Sequence, residues 1–164
     1  MNFFFRVLNF LQSKFTAYQT RQILKRLKYC GSNVYISPHC LIWSESCLEI
    51  GDNVYIHSFT HIFAGGGLKI GSGTIISSNC SITTVTHSIN AVDRLPTIGK
   101  SVSIGNNVWI GTGAIILPGV SIGDYSVVGA GAVVIKDIPA MQVFVGNPAR
   151  FLKEVKLDES TIAM

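Results

Sequence analysis

From Ile98 to Val134 an aliphatic residue returns every six positions, through Ile104, Ile110, Ile116, Ile122 and Val128. No helix has that period, and a lone strand alternates every two residues. Glycine usually follows the aliphatic, at Gly99, Gly105, Gly111, Gly123 and Gly129. A small or β-branched residue stands two positions before the next one, at Val102, Val108, Ala114, Val120, Ser126 and Ala132. Extended segments alternate their side chains, so the small residue and the aliphatic both face inward and the residue between them faces out. The same register runs through Ile50, Ile56 and Ile62, then Ile70, Ile76 and Ile82, with a slip at Leu68-Lys69 between the blocks. Self-similarity at a short fixed period predicts a solenoid, whose repeats bury their apolar faces only by stacking. The glycines are read as serving sharp turns between the short strands.

The register breaks once at length. SINAVDRLPT carries no repeat, which predicts an excursion loop at residues 88–97 with His87 immediately before it. Alternation from an inward Thr86 turns the imidazole outward at the root of that loop. Counting one coil at a time places Lys69, His87, Ile115 and Val133 along one outward edge. Outward Ile115 and Val133 have no role in the coil's own core, which predicts an interface; Trp109 is likewise outward, either against a neighbouring subunit or along a ligand.

The charge of +4 is unevenly placed: Arg6, Lys14, Arg21, Lys25, Arg26 and Lys28 all precede the first acid, Glu45. Phe4, Leu8, Leu11, Phe15 and Tyr18 recur at helical spacing among those cations, predicting a basic amphipathic helix. Such a helix either covers one end of the main domain or makes a weak membrane-surface contact through residues 1–28. The N-terminal stretch lacks a cleavage site and an apolar run long enough to span a bilayer, so neither export nor an anchor is expected and the location is read as cytoplasmic, peripheral at most. Cys30, Cys40, Cys47 and Cys80 form no CxxC pair and are read as reduced thiols. No nucleic-acid-binding motif accompanies the basic residues.

The stretch from Pro96 to Arg150, PTIGKSVSIGNNVWIGTGAIILPGVSIGDYSVVGAGAVVIKDIPAMQVFVGNPAR, resembles the C-terminal half of galactoside, maltose and colanic-acid acetyltransferases, the hexapeptide-repeat family. That resemblance implies an all-β fold, a left-handed parallel β-helix with three faces per coil. Around it the reading places an N-terminal α-helix and a short C-terminal helical tail, divided as 1–30, 31–140 and 141–164. It also implies a homotrimer with sites between subunits, acetyl-CoA as co-substrate, and His87 as the base that deprotonates an acceptor hydroxyl. Carried over by motif position, Trp109, Gly111, Thr112 and Ala130 follow the pantetheine arm, while Lys136, Arg150 and Lys153 meet the nucleotide phosphates. Thr60 stands where relatives have an asparagine near the acceptor, and with His61 and Asp93 it makes up the acceptor side.

The chemistry is independently coherent. Acyl transfer from a thioester to a hydroxyl needs a group of near-neutral pKa to take the proton, and histidine is the usual one. The predicted function is therefore acetyl transfer from acetyl-CoA to a saccharide hydroxyl. An N-acetyltransferase acting on an amino sugar is the nearest alternative. A γ-type carbonic anhydrase would share the solenoid and use three histidines, but His57 follows an inward Ile56 and His61 lies in a different column from His87, so no metal is expected. An inactive binding scaffold is the remaining class.

Overall fold

The computed structural model describes residues 3–156 apart from Ala91 and Asp93. A helix, α1 (Phe3–Arg26), leads into a parallel β-solenoid. Three stacks of short strands form its faces. The first runs through Tyr29–Cys30, Leu48–Ile50, Leu68–Ile70, Val102–Ile104 and Ser121–Ile122. The second runs through Tyr35–Ile36, Tyr55–Ile56, Ile75–Ile76, Trp109–Ile110, Val127–Val128 and Gln142–Val145. The third runs through Leu41–Trp43, His61–Phe63, Ser81–Thr83, Ile115–Ile116 and Val133–Val134.

The six-residue register sets the interior. Ile50, Ile56, Ile62, Ile70, Ile76, Ile82, Ile104, Ile110 and Ile116 are buried in one continuous core, with Val54, Val102, Val108, Ala114 and Ala132 at the alternate inward slots. Removing a fully buried isoleucine to alanine costs about 2–5 kcal/mol. Four hydroxyls that face inward are satisfied by main-chain carbonyls: Thr60 by Ser77, Thr74 by Gly105, Thr84 by Phe63 and Ser126 by Pro139. Among the described residues no buried side-chain nitrogen or oxygen lacks a partner.

A polar ladder climbs the corner between the first and second faces. The Ser32 amide donates to Asp52 Oδ1 (2.6 Å), the Asp52 amide to Ser72 Oγ (3.0 Å), the Ser72 amide to Asn106 Oδ1 (2.9 Å) and the Asn106 amide to Asp124 Oδ1 (2.7 Å). Each bond satisfies an amide that the bending chain cannot pair within a strand. The Ser32 amide, and then its hydroxyl, hold the Asp52 carboxyl below its ordinary value. The glycines preceding these residues answer to stacking rather than to turning. A Cβ on Gly51 would sit 2.6 Å from Ser72 Oγ, and one on Gly71 2.5 Å from the Gly105 carbonyl carbon. The left-handed backbone falls two residues later, at Asn53, Gly73, Asn107 and Tyr125.

Successive rungs of that ladder are 20, 20, 34 and 18 residues apart. The long coil contains the excursion, and it is wider than residues 88–97. Val85–His87 pairs antiparallel with Thr97–Gly99 as a hairpin, and the coil closes beneath it where the Lys100 amide donates to the Thr84 carbonyl (2.8 Å). Ile98 therefore lies on the hairpin, paired with Thr86 and exposed, outside the core that its six-residue spacing suggested. The same insertion dissolves the edge expected to join Lys69, His87, Ile115 and Val133. Lys69 stacks with Ser103 on the first face, Ile115 with Ser81 and Val133 on the third, and His87 pairs with Thr97.

At the C-terminal end the expected helical tail is replaced by strand. Gln142–Val145 continues the second face, and Arg150–Glu154 folds back antiparallel upon it, with Phe144 edge-on to Phe151 at 6.1 Å. Residues 157–164 lie outside the described part.

Helix α1 forms as its spacing predicts but docks by a different face. Ile23, Leu24 and Leu27 pack against the core, whereas Phe4, Leu8, Leu11, Phe15 and Tyr18 are exposed. No described helix is long and apolar enough to cross a membrane.

Candidate active site

The hairpin holds His87 clear of the coil, exposed, at the edge between the third and first faces. Its Nδ1 lies 2.7 Å from the Arg94 carbonyl oxygen. A carbonyl only accepts, so Nδ1 carries the hydrogen and the lone pair of the neutral ring is on Nε2. The loop between the hairpin strands thus orients the ring and selects the tautomer in which Nε2 can take a proton.

The residues assigned to the donor divide. Trp109 is half exposed on the second face, its Nε1 donating to Ser77 Oγ (3.2 Å). The register continues from Trp109 to Val127, Val143 and Lys153, so Trp109 and Lys153 lie on one outward column. With strands about 4.8 Å apart, they are about 14 Å apart along it. Arg150 pairs with Val145 in the same hairpin and donates from its guanidinium to the Ala149 carbonyl (2.9 Å). Thr112 and Ala130 are exposed on the corner between the second and third faces, beside that column. Lys136 is exposed too, but it follows the third-face strand Val133–Val134 and lies at the other edge of that face, on the hairpin's side.

Gly111 does not join them. It is buried, its amide donates to the Val128 carbonyl (2.8 Å), and a Cβ there would meet the Ala130 amide nitrogen at 2.6 Å. Stacking of consecutive coils demands that glycine.

On the acceptor side, Thr60 is corrected as well. It is completely buried, and its hydroxyl donates to the Ser77 carbonyl (3.1 Å), so it cannot reach an acceptor. The register explains this: Thr60 occupies the same inward corner slot as Cys80, Ala114 and Ala132. His61 is exposed on the third face, and Asp93 lies outside the described residues.

Two aromatics missed in the sequence stand beside His61. Trp43 and Phe63, both roughly two-fifths exposed or more, lie 5.9 Å apart, and Trp43 meets His61 edge-on at 6.4 Å. Phe63 is also near Gly65, where a Cβ would meet Val85 at the hairpin root at 3.3 Å. Trp43 and Phe63 pair in adjacent strands, so extending the register back one coil would have exposed the ridge.

Among the described residues no group of three or more His, Cys, Asp or Glu side chains is placed to hold a metal ion. Burial pushes the thiols of Cys30, Cys40 and Cys80 up, which keeps them protonated and unsuited to nucleophilic attack.

The solenoid of six-residue steps is shared with acetyltransferases. Residues 101–136 match the family described as bacterial transferase hexapeptide (six repeats). Galactoside O-acetyltransferase of Escherichia coli is 36% identical over 129 residues, 76% of this chain and 63% of that protein. The maltose O-acetyltransferase structure from Clostridium difficile superposes with a TM-score of 0.77 at 34% identity, covering 85% of this chain and 77% of that one. A hexapeptide-repeat acetyltransferase from Vibrio cholerae, complexed with acetyl-coenzyme A, gives a TM-score of 0.82 at 29% identity over 86% and 78% of the two chains. The chain belongs to the hexapeptide-repeat acetyltransferase family.

Proposed function

We propose that this chain transfers an acetyl group from acetyl-CoA to a hydroxyl of a saccharide, with His87 as the general base, in sites between the subunits of a cytoplasmic homotrimer of left-handed β-helices. The observation that carries the reading is the bond from His87 Nδ1 to the Arg94 carbonyl, which leaves Nε2 free to accept. His87 Nε2 takes the hydroxyl proton as the acceptor oxygen attacks the thioester carbonyl carbon. The tetrahedral oxyanion then collapses, the C–S bond breaks, and the imidazolium returns its proton to the departing sulfur. General-base assistance of this kind contributes about 10²–10⁴-fold.

Position supports the reading of an intersubunit site. Trp109, Thr112, Ala130, Arg150 and Lys153 gather on the second face and its corner with the third, whereas His87 and Lys136 stand across the third face from them. A second copy laid against the third face supplies one set to the other. The outward column of exposed Ile115 and half-buried Val133 on that face offers apolar contact, while the outward Glu49, Lys69, Ser103 and Ser121 leave the first face polar. In this arrangement Trp109, Thr112 and Ala130 follow the pantetheine arm, and Lys136, Arg150 and Lys153 meet phosphates by charge-assisted hydrogen bonds. The ridge of Trp43, Phe63 and His61 offers the saccharide an aromatic surface with a polar group at its edge.

The test is release of coenzyme A thiol from acetyl-CoA against a panel of hydroxyl and amino sugars. Turnover with hydroxyl sugars supports the reading. Turnover confined to amino sugars makes the protein an N-acetyltransferase, and none with any acceptor refutes saccharide transfer.

A further inference from the structure

Helix α1 shows its apolar stripe to the wrong side for a helix that serves only to cover the solenoid. At 3.6 residues per turn, Phe4, Val7, Leu8, Leu11, Phe15 and Tyr18 share one face, with the equally exposed Phe5 and Phe10 off to either side of it. The half-buried residues that look toward the solenoid, Thr16, Thr20, Ile23, Leu24 and Leu27, lie on roughly the opposite one. The stripe residues Phe4, Phe15 and Tyr18 are each about three-fifths exposed. Docking of the helix through Ile23, Leu24 and Leu27 therefore leaves the stripe free, and nothing has to come undone for it to meet something else.

Charge indicates what that is. All five charged residues of α1 are cations: Arg6, Lys14, Arg21, Lys25 and Arg26. The first acid in the chain is Glu45, which faces Arg26 at 3.8 Å. A second copy of the helix would bring another set of cations and no acid, so stripe-to-stripe pairing of copies juxtaposes like charges. An anionic lipid surface complements both features, accepting aromatic and aliphatic side chains below the headgroups and cations among them.

We propose that α1 lies on an anionic membrane surface through the Phe4–Tyr18 stripe, with Lys14 and Lys25 at the headgroups, so that the solenoid is held at the bilayer by its N-terminal end. This contact is independent of the transfer reaction, and its test does not read activity.

The full-length protein is sedimented with vesicles of phosphatidylcholine containing phosphatidylglycerol, and with vesicles of phosphatidylcholine alone. Strong binding is expected only to the anionic vesicles, weakening as salt is raised. Replacing two stripe residues together, Leu11→Glu and Phe15→Glu, lowers partitioning by about tenfold or more. The pair Lys14→Glu and Lys25→Glu, which keeps the stripe intact, does the same. It carries the test if the first pair loses helicity by circular dichroism. Wild-type binding by both pairs, or no sedimentation of the wild type with either vesicle, overturns the proposal. So does a fall in the oligomeric mass of the stripe variant without lipid, which would assign the stripe to self-association.

Discussion

At His87 one backbone carbonyl decides what the side chain can do. With Nδ1 donating to Arg94, the ring is presented as an acceptor through Nε2, and the loop's role is to supply that carbonyl. Nothing in the sequence announces this bond, since its partner is a main-chain atom seven residues away. What the sequence does show is the outward histidine beside the only long break in the register. Glycines illustrate a second residue-scale distinction. Gly71 sits where a Cβ would be 2.5 Å from the next coil's backbone, whereas Gly131 has φ +67 and open space around it. Gly71→Ala is therefore expected to cost about 3 kcal/mol, at the upper end for overpacking. Gly131→Ala costs about 1 kcal/mol, from left-handed backbone alone. Urea unfolding of the two variants measures the difference, and equal losses would show that stacking is not what the first glycine serves.

Among the elements, the hairpin is a separable insertion. It leaves at Thr84 and returns at Lys100 across a 2.8 Å backbone bond, and it makes one coil 34 residues long beside a neighbour of 18. Joining Thr84 directly to Ser101 is expected to preserve the strand signal in circular dichroism and cooperative melting, while abolishing acetyl transfer. Loss of folding would instead make the hairpin a structural part of the coil. This insertion also explains where the sequence misled. Ile98-Gly99 imitates the repeat at the right spacing, yet pairs with Thr86 and Val85 on the hairpin. Periodicity records which residues resemble the core pattern, not which strands are neighbours, so counting across the break displaced Lys69 and His87 from their true columns. The corner ladder escaped for a related reason. Ser32, Asp52, Ser72, Asn106 and Asp124 are of three residue types at unequal spacings, and only stacking reveals that they do one job. At the C-terminal end, Arg150–Glu154 forms strand because Gln142–Val145 offers it an open edge, a tertiary opportunity absent from local propensity.

For the whole molecule, the proposed site divides between two edges of the third face, with the exposed Ile115 and the half-buried Val133 between them. If copies associate there, replacing both with aspartate lowers the mass from trimer to monomer in sedimentation at micromolar concentration and removes activity together with it. Full activity in a monomer would refute a shared site. The central claim, that His87 is the base for acetyl transfer, is tested most directly by the turnover rate of His87→Ala with acetyl-CoA and an accepted sugar, at saturating concentrations of both. The account predicts a rate about 10²-fold lower or less still, with the fold retained. A rate within about threefold of the wild type would contradict it, because loss of a general base cannot cost so little.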